Sequence, residues 1–179
     1  MQKCAFFDRD GVINIDKGYV YQKKDFLFCE GIFTLLELLK ERGFLLIVVT
    51  NQSGINRGYY TQEQVEVLHK FMQEQIKLEL GFCFDRIYFC PHVPEENCRC
   101  RKPQSGMIES ALHDFCIDLS RSLLIGDKPT DIQCAQEGNV AQKFFITKQD
   151  CSLQLPNITN LHQVQNLGQI GAIIRNLQL

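Results

Sequence analysis

Two carboxylates, Asp8 and Asp10, follow directly on the short apolar run Cys4-Ala5-Phe6-Phe7, with Arg9 between them and Gly11 after. A run of that kind reads as a fully buried strand. In an open α/β sheet ligands bind just beyond the carboxyl ends of the strands. A pair of acids there can divide the work, one attacking or holding a metal while the other moves a proton. Asp and Gly are also ordinary turn residues after any strand, so the reading depends on partners elsewhere in the chain.

Those partners lie at the ends of other apolar runs. Runs suited to buried parallel strands occupy 4–7, 44–49, 86–90, 122–125 and 143–146. The second ends in Thr50-Asn51-Gln52-Ser53-Gly54 and the fourth in Gly126-Asp127-Lys128. In a parallel sheet these ends share one edge with Asp8. Lys102, in Cys100-Arg101-Lys102-Pro103, is delivered to that edge by the loop after the third strand. Two aspartates from separate strand ends, with a lysine and a threonine hydroxyl, suit phosphoryl transfer through a covalent aspartyl-phosphate. Mg²⁺ favours carboxylate, carbonyl and water oxygens together with substrate phosphate, and Asp8 and Asp127 supply the carboxylates. Asp127 can also cap the helix that follows. Asp131 either orients Lys102 or metal-bound water, or sits on a helix surface.

A second constellation is Cys90-Pro91-His92, then five residues, then Cys98-Arg99-Cys100. Three thiolates and an imidazole fill a closed tetrahedral zinc site, which leaves no open position for a metal-activated water. Zinc there is expected to stiffen the loop carrying Arg99, Arg101 and Lys102 toward a phosphate. The chain has nine cysteines. Those outside the cluster stand singly and read as small buried apolar groups.

Helical patterns separate most of the apolar runs, which makes the fold class α/β. The first spans about 31–41, with Gly43 placed to end it, and the second starts at Thr61, which forms a capping box with Gln64. In that second helix Val65, Leu68, Phe71, Met72 and Ile76 fall on one face. Further helices are expected over 105–116, 130–137 and 160–177, the last as an element that covers the sheet. At 179 residues and 45% hydrophobic content, a single domain spanning 1–179 is expected. A net charge of −2 without charge blocks argues against nucleic acid as a partner. The absence of a signal sequence or a membrane-length apolar stretch points to a cytoplasmic protein with reduced thiols. A monomer acting on a small molecule is expected.

Asp8-Arg9-Asp10-Gly11, Thr50-Asn51, Lys102 and Gly126-Asp127-Lys128-Pro129-Thr130-Asp131 resemble the four motifs of the haloacid dehalogenase superfamily phosphatases, in the family's order. The resemblance implies a Rossmann-like fold with a central parallel sheet flanked by helices, no separate cap domain, and the zinc loop after the third strand. It implies that Asp8 is the nucleophile, that Asp8, the Asp10 carbonyl and Asp127 hold Mg²⁺, and that Thr50 and Lys102 hold the phosphoryl oxygens. Asp10 would protonate the leaving oxygen and then activate water.

The zinc loop is similar to that of the branch holding heptose bisphosphate 7-phosphatases and histidinol-phosphate phosphatases. Segments 13–20, 51–58 and 101–107 look closer to the heptose enzymes, whereas the spacing from His92 to Cys98 matches the histidinol-phosphate enzymes. By the same resemblance the substrate pocket holds Asp16, Lys17, Gly18 and Tyr19, then Thr50, Asn51, Gln52 and Ser53, then Arg101, Lys102 and Lys128. The arginine fork suits a distal phosphate of a sugar bisphosphate, and the family implies heptose supply for cell-surface glycans such as lipopolysaccharide. The non-enzymatic alternative is a phospho-accepting signalling module, which has no use for an acid such as Asp10 poised to activate water.

Overall fold

The computed structural model describes residues 1–147 and 158–177. Its strands are β1 (Cys4–Phe7), β2 (Leu45–Asn51), β3 (Arg86–Cys90), β4 (Leu123–Gly126), β5 (Gln142–Ile146) and β6 (Leu161–Val164). The helices are α1 (Ile32–Glu41), α2 (Gln62–Leu80), α3 (Gly106–Asp114), α4 (Pro129–Glu137) and α5 (Leu167–Asn176). The strands form one sheet in the order β3-β2-β1-β4-β5-β6, and every pairing in it is parallel. The chain runs outward from β1 through β2 and β3, then returns to lay β4 against the other side of β1. Asp8 therefore emerges at the point where the strand order reverses, which is where open α/β sheets bind their ligands.

Helices on both faces explain why the strands read as continuous apolar runs. Successive residues of β1 serve opposite faces: Ala5 and Phe7 pack with Leu36 of α1, Leu68 of α2 and Ile170 of α5, while Cys4 and Phe6 pack with Ile108 of α3 and Ala135 of α4. The capping box of α2 forms as expected, with Thr61 Oγ1 accepting from the Gln64 amide at 3.3 Å and the Gln64 side chain accepting from the Thr61 amide at 2.9 Å.

One element differs from the sequence reading. Segment 160–177 is not a single helix: the chain first adds the edge strand β6, pairing Lys143 with Leu161 and Ile146 with Val164. It then turns into α5, whose start is capped by the Asn166 side chain. Leu161 and Val164 stand three apart and so fit a helical stripe, and a four-residue edge strand offers too little alternation to outvote it. The covering role holds for α5, which docks on α1 through the Arg42 guanidinium and the carbonyls of Ile174 and Leu177.

Neither loop over the strand ends carries an α-helix or a sheet strand: residues 8–31 include one 3-10 turn at Lys23–Asp25, and 91–105 one at Pro94–Glu96. The cleft above the sheet edge is thus open. Among the described residues no helix is long and apolar enough to cross a membrane. Of the single cysteines, Cys4 and Cys134 are buried and Cys29 and Cys83 partly so, but Cys116 is exposed, because it lies just beyond the end of α3. Cys151 lies outside the described residues.

Candidate active site

The Asp8 amide donates to the Ile125 carbonyl at 3.0 Å, so the first residue past β1 is fastened to β4. Lys102 reaches the same spot from the loop after β3. Its Nζ stands 2.9 Å from Asp8 Oδ1 and 2.7 Å from Asp131 Oδ1, and it donates to the Val49 carbonyl at 2.8 Å. Two carboxylates and a carbonyl thus surround the ammonium. Lys102 is 2% exposed and Asp131 1%. Burial alone would neutralise the lysine, but Asp131 and Asp8 outweigh it and hold the ammonium charged. Asp131 is therefore no surface acid. It braces Lys102 through one oxygen and, through the other, accepts the Lys128 amide at 3.0 Å in the first turn of α4. Burial raises the Asp8 carboxyl, with Lys102 opposing.

Carboxylate oxygens of Asp8, Asp127 and Asp131 lie within 4.8 Å of one another. The cap position of α4 falls on Lys128, which leaves Asp127 to the site. Burial pushes the Asp127 carboxyl up to about 7, against the pull of Lys128 and with added repulsion from Asp8, Asp131 and Asp16. Its Oδ1 atom is buried without a hydrogen-bond partner. Crowded, desolvated carboxylates with an unsatisfied oxygen are costly by themselves and suit a hard, oxygen-seeking cation. Gly11 makes room for this arrangement: its φ is +92° and a Cβ there would fall 2.0 Å from Asp127 Oδ2.

Asp10 sits beside this floor in a fully bonded shell. Arg9 Nη2 donates to both of its oxygens at 3.0 and 2.8 Å, Asn14 Nδ2 to Oδ1 at 3.0 Å, and Gln52 Nε2 to Oδ2 at 3.0 Å. Burial raises the Asp10 carboxyl, but Arg9 and these hydrogen bonds outweigh it and hold it below the usual carboxylate range. Arg9 is itself 0% exposed. It is anchored by the Val20 carbonyl at 2.7 Å and by His69 Nε2 at 3.2 Å. Burial and then Arg9 push His69 down to about 3, so its neutral ring accepts from the guanidinium. The sequence reading gave no role to Arg9, Asn14 or His69. The available signals were a cation wedged between two acids after a buried run, and a histidine inside the apolar stripe of α2.

A cleft of about 520 Å³ opens over this floor. Asp16, Gly18 and Tyr19 line it from the first loop, and Asn51, Gln52 and Ser53 from the end of β2. Arg101, Lys102 and Lys128 line it as well, and Tyr60, Pro129 and Thr130, outside the expected substrate set, join them. Lys17 is exposed and is not among the lining residues, and Thr50 is 1% exposed, with Oγ1 accepting from Gln52 Nε2 at 3.0 Å. Lys128 Nζ reaches Asp16 Oδ2 at 3.2 Å across the mouth.

Two lining residues brace the loop after β3. The Asn51 amide exchanges hydrogen bonds with the backbone of Lys102, each 3.1 Å long, and Arg101 donates to the His92 carbonyl at 2.9 Å. Arg99 departs from expectation: it pairs with Glu109 of α3 at 2.7 Å with its side chain 84% exposed, and does not line the cleft. An alternating Arg-Lys loop turns only some of its cations inward.

Cys90, His92, Cys98 and Cys100 do converge. Cys100 Sγ is 3.1 Å from Cys90 Sγ and 3.4 Å from His92 Nδ1, and Cys98 Sγ is 3.4 and 3.5 Å from the other two sulfurs. Four soft donors turned on a common centre can hold a metal ion.

Comparison with known proteins agrees with this geometry. Residues 99–145 match the HAD-hydrolase-like family model. The chain is 51% identical to D-glycero-beta-D-manno-heptose-1,7-bisphosphate 7-phosphatase of Helicobacter pylori J99, over 82% of this chain and 84% of the relative. It is 45% identical to D-glycero-alpha-D-manno-heptose-1,7-bisphosphate 7-phosphatase of Burkholderia mallei, over 84% of this chain and 82% of the relative. Among solved structures, the D,D-heptose 1,7-bisphosphate phosphatase from B. bronchiseptica, complexed with magnesium and phosphate, superposes with a TM-score of 0.85 at 26% identity, covering 97% of this chain and 98% of its own. The chain belongs to the D-glycero-D-manno-heptose-1,7-bisphosphate 7-phosphatase family of haloacid dehalogenase-like hydrolases.

Proposed function

We propose that the protein hydrolyses the 7-phosphate of D-glycero-D-manno-heptose 1,7-bisphosphate, releasing heptose 1-phosphate and inorganic phosphate. The observation that carries this reading is the buried Lys102 ammonium, 2.9 Å from Asp8 and 2.7 Å from Asp131, at the floor of an open polar cleft in a chain whose relatives bear that activity in their names. Asp8 attacks the phosphorus and the ester oxygen departs, leaving an aspartyl-phosphate. Asp10, ionised in its shell of donors before substrate arrives, takes the proton of the incoming phosphate monoanion, gives it to the departing sugar oxygen, then takes one from the water that frees the phosphate. Because Gln52 donates to Thr50 Oγ1, the Thr50 hydroxyl proton is left to point at a phosphoryl oxygen. Lys102 sets a positive charge where negative charge spreads in the transition state.

Asp8, Asp127 and the Asp10 carbonyl would hold Mg²⁺, which supplies charge neutralisation for the phosphoryl group when bound. At the cleft wall Arg101 offers a fork to the distal phosphate, while Asp16, Ser53 and Lys128 offer partners for sugar hydroxyls.

The Cys/His cluster is a zinc site, and its work is mechanical. Cys98 and Cys100 lie within four residues of Lys102 along the chain, and Arg101, its neighbour, donates to the carbonyl of His92. Stripping zinc from the Mg²⁺-loaded protein with a chelator selective for soft metals is expected to lower kcat about tenfold, since small misplacements of a positioned group cost that much or more. Protection of 98–105 from hydrogen exchange should fall with it, and a zinc-free protein at full activity would refute the mechanical role.

Specificity is tested by kcat/KM on both heptose 1,7-bisphosphate anomers and on histidinol phosphate. At least one heptose anomer should be preferred over histidinol phosphate by a factor of about 10² or more, the order of discrimination that one well-made phosphate contact supplies. The reverse preference would sink the assignment.

A further inference from the structure

Gln52 faces the cleft, yet its amide has no donor left to offer a substrate. Its two N–H donors go to Asp10 Oδ2 and Thr50 Oγ1, each at 3.0 Å, and its carbonyl accepts from the Tyr60 hydroxyl at 3.0 Å. Gln52 is 1% exposed and Tyr60 5%. The amide orientation follows from chemistry: reversed, its oxygen would face the Asp10 carboxylate, which has only acceptors.

Tyr60 is as firmly seated. Its ring stacks on Tyr21 with centroids 5.2 Å apart, and it lies so close to Gly54 that a Cβ there would fall 2.3 Å from the ring. Burial pushes the Tyr60 hydroxyl up to about 12, so it stays a donor. Arg9 and Asn14 hold Asp10 from its own loop, whereas Gln52 holds it from the end of β2. Among the described hydrogen bonds to Asp10, Gln52 is the link that ties the carboxylate to the strand end bearing Thr50.

We propose that Gln52 is a positioning residue for Asp10, and that Tyr60 fixes the Gln52 amide so that the carboxylate is held toward the departing oxygen of the substrate. The inference rests on the reading of Asp10 as the acid. Its consequence is selective. An alkyl oxygen needs a proton to leave, whereas a nitrophenolate leaves without one, so a displaced Asp10 penalises the sugar phosphate and spares the aryl phosphate in the first chemical step.

The test is leaving-group release in a single turnover, with the metal-loaded full chain in excess over either heptose 1,7-bisphosphate or p-nitrophenyl phosphate. Asp10→Asn sets the full shift in the ratio of the two rates. Gln52→Met, which keeps length and removes the donors, should lower the ratio about tenfold or more, and Tyr60→Phe, which deletes one hydroxyl, about threefold, in line with the cost of displacing a catalytic group. KM should change little. Any loss through Thr50 falls on both substrates and cancels in the ratio. If Asp10→Asn shifts the ratio while Gln52→Met and Tyr60→Phe slow both substrates equally or neither, the positioning role is overturned and the acid role of Asp10 stands. If Asp10→Asn leaves the ratio unchanged, the acid role itself falls, and the inference with it.

Discussion

Asp8→Asn loses turnover by a factor on the order of 10⁴ or more, because an amide oxygen is too weak a nucleophile to take the phosphoryl group. The replacement is nearly isosteric and its oxygen can still accept from Lys102, which stands 2.9 Å from Asp8 Oδ1 in the native chain. The folded protein should therefore survive with native circular dichroism. Acid-quenched samples of the native enzyme mixed with labelled substrate should carry hydroxylamine-labile phosphate on the peptide containing Asp8, and the variant none. Label at another residue would remove Asp8 from its role.

Lys102→Met carries the second large effect, on stability as well as rate. Its ammonium serves two carboxylates whose side chains are 6% and 1% exposed, Asp8 and Asp131. Removing one member of a buried ion pair leaves uncompensated charge behind and costs about 3–5 kcal/mol. For a chain of this size the melting temperature should drop on the order of 10 °C. Loss of a positive charge beside the transferring phosphoryl group should lower kcat by about 10²–10³ in addition. Adding Asp131→Asn removes one of the stranded carboxylates, so the double variant should regain part of the stability and none of the rate. A Lys102→Met protein as stable as the native one would show that the triad does not hold the floor together.

Much of this site could be read from the chain because parallel sheets advertise themselves. Strands buried on both faces leave continuous apolar runs, and the residues just past them gather at one edge. Asp8, Thr50 and Asp127 stand out that way, and the cysteine cluster by ligand type and spacing. What escaped was of two kinds. Edge strand β6 was lost inside a helical stripe because Leu161 and Val164 satisfy both periodicities. The second kind was the inner polar shell of Arg9, Asn14 and His69, since nothing in residue order says which polar side chains fold inward. Gln52 and Asn51 stand out in the sequence as ligands for substrate. The structure spends the Asn51 amide on the Lys102 backbone and the Gln52 amide on Asp10, Thr50 and Tyr60.

Phosphorus NMR of heptose 1,7-bisphosphate incubated with the protein and Mg²⁺ addresses the assigned reaction most directly. The 7-phosphate signal should vanish, inorganic phosphate should rise in step, and the anomeric 1-phosphate should stay intact. Loss of the 1-phosphate, or an unchanged spectrum under conditions where histidinol phosphate is consumed, would contradict the assignment.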